Sequence, residues 1–148
     1  TKMINSGRYV NDSMGRYIGK KVVKKIISQG KNILGAHVLV MGMTFKENVS
    51  DIRNSKVADI INEFKDFGAE VDVMDPFASP LEVLQEYGIR LVERPGKKYD
   101  AVVVAVAHTT YLKLDESYFM SITNEHAVLA DVKGVYRGSI HQMIYWSL

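Results

Sequence analysis

Along this chain, short continuous runs of apolar residues alternate with segments in which apolar residues recur every three or four positions. The continuous runs predict strands covered on both faces, since such strands carry apolar side chains on both sides. The helically spaced segments predict helices packed on those strands. The predicted strands comprise residues 37–41, 70–74, 90–92, 101–107, 127–132 and 143–148. We expect the run at 101–107 to be central and the aromatic segment at 143–148 to be an edge strand.

The helically spaced segments predict helices before and between these strands. They comprise residues 7–29, 57–67, 80–87 and 115–123. Strands that alternate with helices indicate an α/β protein with a parallel sheet. We therefore predict a Rossmann-like, doubly wound parallel sheet of about six strands, preceded by a long N-terminal helix.

The predicted first helix contains two glycines four positions apart, Gly15 and Gly19. Each costs about 1 kcal/mol of helix stability relative to alanine, and together they permit another backbone to approach closely. Much of the remaining helix surface is basic. Two interpretations are open. The helix packs on its own domain and exposes a basic face to solvent, or it forms a contact between subunits.

The composition matches an average soluble globular domain, with 148 residues, 47% of them apolar and 24% charged. The net charge of +2 gives no reason to expect a nucleic-acid partner. There are no cysteines, which excludes disulfides, thiolate metal ligands and a cysteine nucleophile within this chain. No apolar run approaches the roughly 20 residues that span a bilayer, and the first residues lack the apolar core of a signal peptide. We therefore expect a cytoplasmic protein without a membrane partner.

The candidate chemistry lies in the stretch Val38–Ser55. It begins as a predicted buried strand, breaks at Gly42 and continues as a polar loop before the next helix. In a parallel sheet such a loop lies at the carboxyl ends of the strands, where open α/β folds bind ligands. A dinucleotide-binding turn would show Gly-x-Gly-x-x-Gly, but here Met43, Thr44 and Phe45 follow Gly42. Direct NAD binding in the standard mode is therefore not expected.

Two cations in this loop suit an anionic ligand. Lys46 offers a compact positive charge, and Arg53 offers a planar guanidinium that can contact phosphate or carboxylate with two hydrogen bonds. Arg53 also lies just before a predicted helix, whose first N–H groups favour anions. The alternative is that these cations form surface ion pairs with Glu47 and Asp51, each worth about 0–1 kcal/mol. Residue chemistry alone does not separate an anion site from surface ion pairs.

The segment Thr44–Ser55, with the sequence Thr-Phe-Lys-Glu-Asn-Val-Ser-Asp-Ile-Arg-Asn-Ser, closely resembles the hallmark of the UDP-glucose/GDP-mannose dehydrogenase family. The similarity is to the C-terminal, nucleotide-sugar-binding domain of that family. Further segments resemble the family in the same order along the chain. They are Arg8–Met14, Val73–Pro76, Ala101–His108, Ala130–Gly134 and Tyr145–Leu148. Residues 1–30 resemble the end of the family's central, dimer-forming helix, and residues 31–148 resemble its UDP-binding domain.

This resemblance implies an NAD-dependent oxidation of the C6 hydroxyl of a UDP-sugar to a carboxylate, through two hydride transfers and a cysteine-bound intermediate. In the family, an N-terminal domain holds NAD and a central domain supplies the cysteine. The chain starts on Thr1 rather than Met and contains neither region, so we interpret it as part of a larger protein whose NAD domain is its missing partner. No catalytic residue and no metal site are expected here, and the chain alone should be inactive.

Carried over by position, the resemblance implies that Phe45 and Lys46 line the nucleotide-sugar site, with Lys46 toward the diphosphate. Lys133 would contact the UDP portion or the sugar. Arg53 would reach toward the NAD held by the absent domain, and Asp51 would orient Arg53 rather than touch ligand.

This version of the hallmark is more similar to enzymes that act on UDP-N-acetylhexosamines than to those that act on UDP-glucose. The resemblance also favours a homodimer formed through the first helix. His108 follows the predicted central strand on the ligand side of the sheet, where a rim-lining or capping role is favoured over catalysis or metal binding. The alternative function, from another class, is a non-catalytic α/β module for regulation or dimerisation.

Overall fold

The computed structural model describes residues 6–148, and their side chains from residue 14 onward. The helices are α1 (Ser6–Ser28), α2 (Val57–Asp66), α3 (Pro80–Tyr87) and α4 (Glu116–Ser121). The strands are β1 (His37–Met41), β2 (Glu70–Met74), β3 (Tyr99–Val104), β4 (Thr123–Asp131) and β5 (Ile144–Ser147). A 3-10 helix, Thr109–Lys113, lies between β3 and α4.

These strands form one parallel sheet in the order β2-β1-β3-β4-β5. Val40 of β1 lies opposite Val73 of β2 on one side and opposite Val103 of β3 on the other. β4 and β5 extend the sheet in the same direction. The predicted α/β fold with a doubly wound parallel sheet is confirmed, and so are the central position of β3 and the edge position of β5.

The prediction of a sixth strand at residues 90–92 is wrong. Leu91 makes a single parallel bridge to Val73, and the Val92 amide donates to the Val73 carbonyl at 2.8 Å. The segment begins after Gly88, the left-handed C-cap of α3, and ends before Pro95. So short a segment leaves few residues free to pair with β2. The bridge nevertheless occupies the place of the outermost strand in the first half of a Rossmann sheet.

Apolar side chains cover both faces of the sheet. On one face, α1, α2 and α3 contribute Val22, Ile26, Ile61, Phe64 and Val83, all fully buried against the strands. On the opposite face, the 3-10 helix, α4 and the segment before β5 contribute Tyr111, Phe119 and Tyr136. Strands covered in this way read as continuous apolar runs, as in β1, β3 and the second half of β4, which is why these positions could be predicted.

The two glycines of α1 let this helix lie directly against α2. A methyl group added at Gly15 would lie 2.7 Å from Cβ of Asp59, and one added at Gly19 would lie 2.8 Å from Cβ of Glu63. Carbon atoms attract best at about 3.5–4.0 Å, so no side chain fits at either position without displacing α2. Arg16 closes the contact with a hydrogen bond of 2.8 Å from Nη1 to Oε1 of the buried Glu63. The described part of α1 therefore packs on its own domain.

Two predictions concern the first residues of the chain. The family-like segment Arg8–Met14 lies, apart from Met14, outside the residues whose side chains are described. The division of the chain at residue 30 stays a prediction.

We predict that Gly19→Ala destabilises the fold, although alanine is the better helix former. The added methyl group must displace Glu63, and such overpacking costs about 1–3 kcal/mol against about 1 kcal/mol gained in helix propensity. Urea unfolding followed by circular dichroism measures the net loss. Gly96→Ala is the control, because nothing lies within 4 Å of an added methyl group there. A Gly19→Ala protein as stable as this control would contradict the close packing.

Candidate functional site

A cleft of about 460 Å³ opens at the carboxyl ends of β1, β3 and β4, beside α1 and the start of α2. Its volume falls in the range of roughly 300–1,000 Å³ found for small-molecule sites. One wall is residues 42–56, which we name the β1 loop, and another is the turn after β4. The lining residues include Met14, Gly15, Ile18, Thr44, Phe45, Lys46, Glu47, Asn54, Lys56, Val57, Ile60, Val106, Val132, Lys133 and Leu148.

This cleft lies where the strand order reverses. β1 has β2 on one side and β3 on the other. The connection after β1 packs on one face of the sheet and the connection after β3 packs on the opposite face. A crevice therefore forms between the two connections. Gly42 allows the two connections to cross closely. Its φ is 102°, and an added methyl group would lie 2.6 Å from Cβ of Val106. The expectation that the β1 loop lies at the carboxyl edge of the sheet is confirmed.

Three of the four residues predicted to bind ligand meet in this cleft. Phe45, Lys46 and Lys133 line it together, with the Phe45 residue 53% exposed and both lysines exposed. Lys56 lines it as well, at the start of α2, where helix N–H groups add positive potential. Glu47 is the one acidic residue among the lining residues described. The electrostatic balance therefore favours a ligand that carries phosphate.

Arg53, the fourth predicted residue, does not line the cleft. It borders a neighbouring depression together with Asp51, Glu82, Gln85 and Glu86. Its side chain is 80% exposed, and its Nε and Nη2 donate to Oδ1 and Oδ2 of Asp51, each at 3.1 Å. These hydrogen bonds lower the pKa of the Asp51 carboxyl. Asp51 thus contacts Arg53, and the roles predicted for the two residues toward a ligand stay predictions.

A buried pair lies beneath the β1 loop, formed by Asp75 after β2 and His108 after β3. Both side chains are fully buried, and Nε2 of His108 lies 2.9 Å from Oδ2 of Asp75. The same oxygen accepts the backbone N–H groups of Met43 at 2.6 Å and Thr44 at 3.1 Å, while Oδ1 accepts that of Phe77 at 2.8 Å. This carboxylate therefore fixes the beginning of the β1 loop.

The turn after β4 depends on a second buried carboxylate, that of Asp131. Its oxygens accept the backbone N–H groups of Val135 at 3.0 Å and Tyr136 at 2.7 Å, and the Tyr145 hydroxyl donates to Oδ2 at 2.6 Å. Burial, together with the hydrogen bond to this carboxylate, raises the pKa of Tyr145 to about 12. The turn that carries Lys133 is thereby fixed to β4 and β5.

Sequence reasoning missed the roles of Asp75, His108 and Asp131. His108 lies beneath the rim of the cleft rather than on it, because its ring is fully buried. Asp75 directly follows β2, and Asp131 ends β4 after the apolar run 127–130. Both acids lie at the same edge of the sheet as the β1 loop. A polar residue at that position is the signal that could have located them.

The alternative of a non-catalytic module for regulation, if built like a receiver domain, would need an open cluster of acids at the strand ends. Asp75 and Asp131 are instead buried and engaged by backbone N–H groups. Within the described part of the chain, no group of three or more His, Cys, Asp or Glu side chains is placed to hold a metal ion. None of the helices described in the structure is long and apolar enough to cross a membrane.

A Rossmann-like sheet with a lysine-lined cleft at its switch point is the architecture of domains suited to phosphate-bearing small molecules. Residues 39–138 match the UDP-binding domain of the UDP-glucose/GDP-mannose dehydrogenase family. The match covers more than half of the chain, and the chain belongs to this family. The predicted family is thereby confirmed.

Known relatives agree with this assignment. A UDP-N-acetyl-D-glucosamine 6-dehydrogenase from Salmonella typhi is 38% identical over 135 residues, which are 90% of this chain and 32% of that protein. A UDP-glucose 6-dehydrogenase from Rhizobium meliloti is 28% identical over 139 residues, 92% of this chain and 31% of that protein. The native structure of the UDP-N-acetyl-mannosamine dehydrogenase from Staphylococcus aureus superposes with a TM-score of 0.74 at 28% identity, covering 99% of this chain and 33% of that one.

The chain therefore spans about a third of the length of the curated relatives that it matches. The relatives at 38% identity are N-acetylhexosamine enzymes, so the predicted greater similarity to that branch of the family is confirmed.

We predict that Asp75→Asn destabilises the fold by about 1–3 kcal/mol at pH 7, because the hydrogen bonds to a charged buried acceptor are weakened. Burial by itself would raise the pKa of Asp75, but hydrogen bonds from His108 and from backbone N–H groups outweigh it and hold the pKa below its usual value. The carboxylate therefore stabilises the fold at a pH above the unfolded pKa of about 3.9, and this contribution is lost as pH falls through the folded pKa.

Urea unfolding across a pH series tests this dependence. The difference in free energy of unfolding between the original protein and Asp75→Asn should shrink as pH falls from 7 to below about 4. Glu86→Gln, at an exposed position of α3, is the control. A difference for Asp75→Asn that stays constant with pH would contradict the assigned role.

Proposed function

We propose that this chain provides the sugar-nucleotide half of the active site of an NAD-dependent UDP-sugar 6-dehydrogenase. The reaction would oxidise the C6 hydroxyl of the sugar to a carboxylate in two hydride transfers. The observation that carries the proposal is that Lys46 and Lys133, from loops far apart in sequence, line one cleft at the switch point of a Rossmann-like sheet.

The diphosphate of the substrate would occupy the lysine-lined part of the cleft. Lys46 and Lys133 act as point charges toward its oxygens, and the N-terminus of α2 adds backbone N–H groups. Phe45 offers an aromatic surface to the nucleoside or sugar, since its ring is half-exposed in the cleft. The phosphate oxygens supply most of the charge, so binding should weaken as salt concentration rises.

The substrate that we propose is a UDP-N-acetylhexosamine. Support comes from the identity of 38% with a UDP-N-acetyl-D-glucosamine 6-dehydrogenase, against 28% with a UDP-glucose 6-dehydrogenase. The sequence of the Thr44–Ser55 hallmark agrees with this preference.

The rest of the reaction would be carried out by parts of the protein beyond this chain. The relatives are about three times longer, and this chain has no cysteine to form a covalent intermediate. The NAD would be held by a separate N-terminal domain. Arg53 would face that domain, which is consistent with its exposed position outside the cleft.

We also propose that the protein is a homodimer that associates through α1. One side of this helix packs on α2, whereas Tyr17, Lys24 and Ile27 on its other side are exposed. Apolar side chains exposed along one helix are suited to burial against a second subunit.

We predict that Lys46→Ala and Lys133→Ala each weaken UDP binding by about 10- to 100-fold, because each removes a charge-assisted contact worth about 1.5–3 kcal/mol. Isothermal titration calorimetry with UDP measures the change. Lys65→Ala, at an exposed position near the other end of α2, is the control and should bind UDP normally.

Uridine serves as a second control, since it lacks the diphosphate and its affinity should not respond to either lysine. Absence of heat with UDP and with UDP-N-acetylglucosamine would refute the proposed function. Equal losses for all three lysine variants would refute the assigned roles of Lys46 and Lys133.

We further predict that the 148-residue chain alone does not reduce NAD when UDP-N-acetylglucosamine is present, because it has no cysteine nucleophile and lacks the NAD-binding glycine pattern. Absorbance at the NADH wavelength measures this. Turnover by the purified chain that persists after further purification would show that the reaction does not need a separate NAD domain.

A further inference from the structure

The β1 loop is held at a second point by the other nitrogen of His108. Nδ1 accepts the backbone N–H of Asn48 at 2.9 Å. The Asn48 side chain exchanges two hydrogen bonds with Thr109, at 2.7 Å from Nδ2 to Oγ1 and at 2.9 Å from the Thr109 amide to Oδ1. The φ of Asn48 is 61°, a conformation that non-glycine residues adopt only where their surroundings favour it.

The His108 ring has little freedom to move. It is fully buried, with the ring centroids of Phe77 at 4.6 Å and Tyr111 at 5.4 Å. The partners assign its tautomer: Nδ1 faces an N–H donor and must be an acceptor, and Nε2 faces the Asp75 carboxylate and must carry the proton. The ring thus connects the Asp75 carboxylate, after β2, to the Asn48 backbone in the β1 loop.

Three cleft-lining residues lie between the two points where the loop is held. Asp75 holds the backbone at Met43 and Thr44, His108 holds it at Asn48, and the residues between them are 45–47. The Thr44 hydroxyl also donates to the Lys46 carbonyl at 2.9 Å. The backbone that carries Lys46 is therefore fixed from below before any ligand arrives.

We propose that His108 is a positioning residue of the sugar-nucleotide site. It does not touch the ligand. Its Nδ1 holds the Asn48 amide, so that Lys46 presents its ammonium group in the cleft without an ordering cost on binding. This inference rests on the proposed function for the identity of the ligand, UDP, but the ordering of the loop can be measured without any ligand.

Two substitutions at position 108 separate the roles of the two nitrogens. His108→Asn places an oxygen near the position of Nδ1 and can still accept the Asn48 amide, but it loses the donor to Asp75. His108→Gln places an amide nitrogen near the position of Nε2 and can still donate to Asp75, but it loses the acceptor for Asn48. His141→Gln makes the same chemical change at an exposed histidine and is the control.

UDP affinity is measured by calorimetry well below the unfolding midpoint of each variant, which is determined separately. We expect His108→Gln to bind UDP about tenfold more weakly, His108→Asn within about threefold of the original protein, and His141→Gln unchanged. A residue that only stabilises the fold would lower the unfolding midpoint in both position-108 variants and leave their UDP affinities equal. Equal affinities would therefore overturn the proposal.

A second measurement tests whether His108 holds the β1 loop if a variant does not fold or if the original protein does not bind UDP. It is the hydrogen exchange rate of the Asn48 amide, followed by NMR in the original protein without ligand. Slow exchange supports the proposal, because the residue is exposed and its amide would otherwise exchange freely. Fast exchange overturns it. Failure of UDP binding together with slow exchange would count against the proposed function alone.

Discussion

Hydrogen bonds from backbone amides to two buried carboxylates determine the shape of the cleft. The β1 loop and the turn after β4 have little regular structure, so their N–H groups need acceptors other than a sheet or helix. Asp75 and Asp131 supply charged acceptors, which bind N–H groups more strongly than carbonyl oxygens do. A buried carboxylate without these donors would be costly, so each acid and its loop form together. The rigidity of the sheet thereby extends to Lys46 and Lys133.

Helix packing sets the third side of the cleft. Gly15 and Gly19 let α1 pack against α2 more closely than any larger residue would allow. The same contact places Gly15 and the start of α2 beside the cleft. The buried Glu63 carboxylate would be costly there without a partner, and Arg16 supplies one. The cost of two glycines in a helix is therefore offset by a close contact that also shapes the site.

The sequence predicted the central part of the fold well because β1 and β3, which are buried on both faces, leave continuous apolar runs. It also placed Phe45 and Lys46 at the ligand-binding edge, since the carboxyl ends of parallel strands meet there. Lys133 was assigned to the same site through the resemblance to the family. The strand at 90–92 was predicted wrongly because one bridge beside β2 leaves the same short apolar signal as a strand. Periodicity could not show that Asp75 meets His108, because this contact depends on how the connections after β2 and β3 pack together.

Lys46 and Arg53, near the two ends of the hallmark segment, lie in different depressions of the surface. Lys46 lines the cleft on the side of β3 and β4, whereas Arg53 lies in a different depression on the side of α3. A short glycine-rich turn presents one surface to one ligand, but a loop fixed at Met43 and again at Asn48 can present cations in two directions. Asp51 already holds the guanidinium with two hydrogen bonds, so Arg53 would lose little conformational freedom on meeting a second ligand group. On the proposed division of the active site, a long loop in place of the dinucleotide fingerprint would let Lys46 serve the sugar nucleotide while Arg53 serves the NAD side.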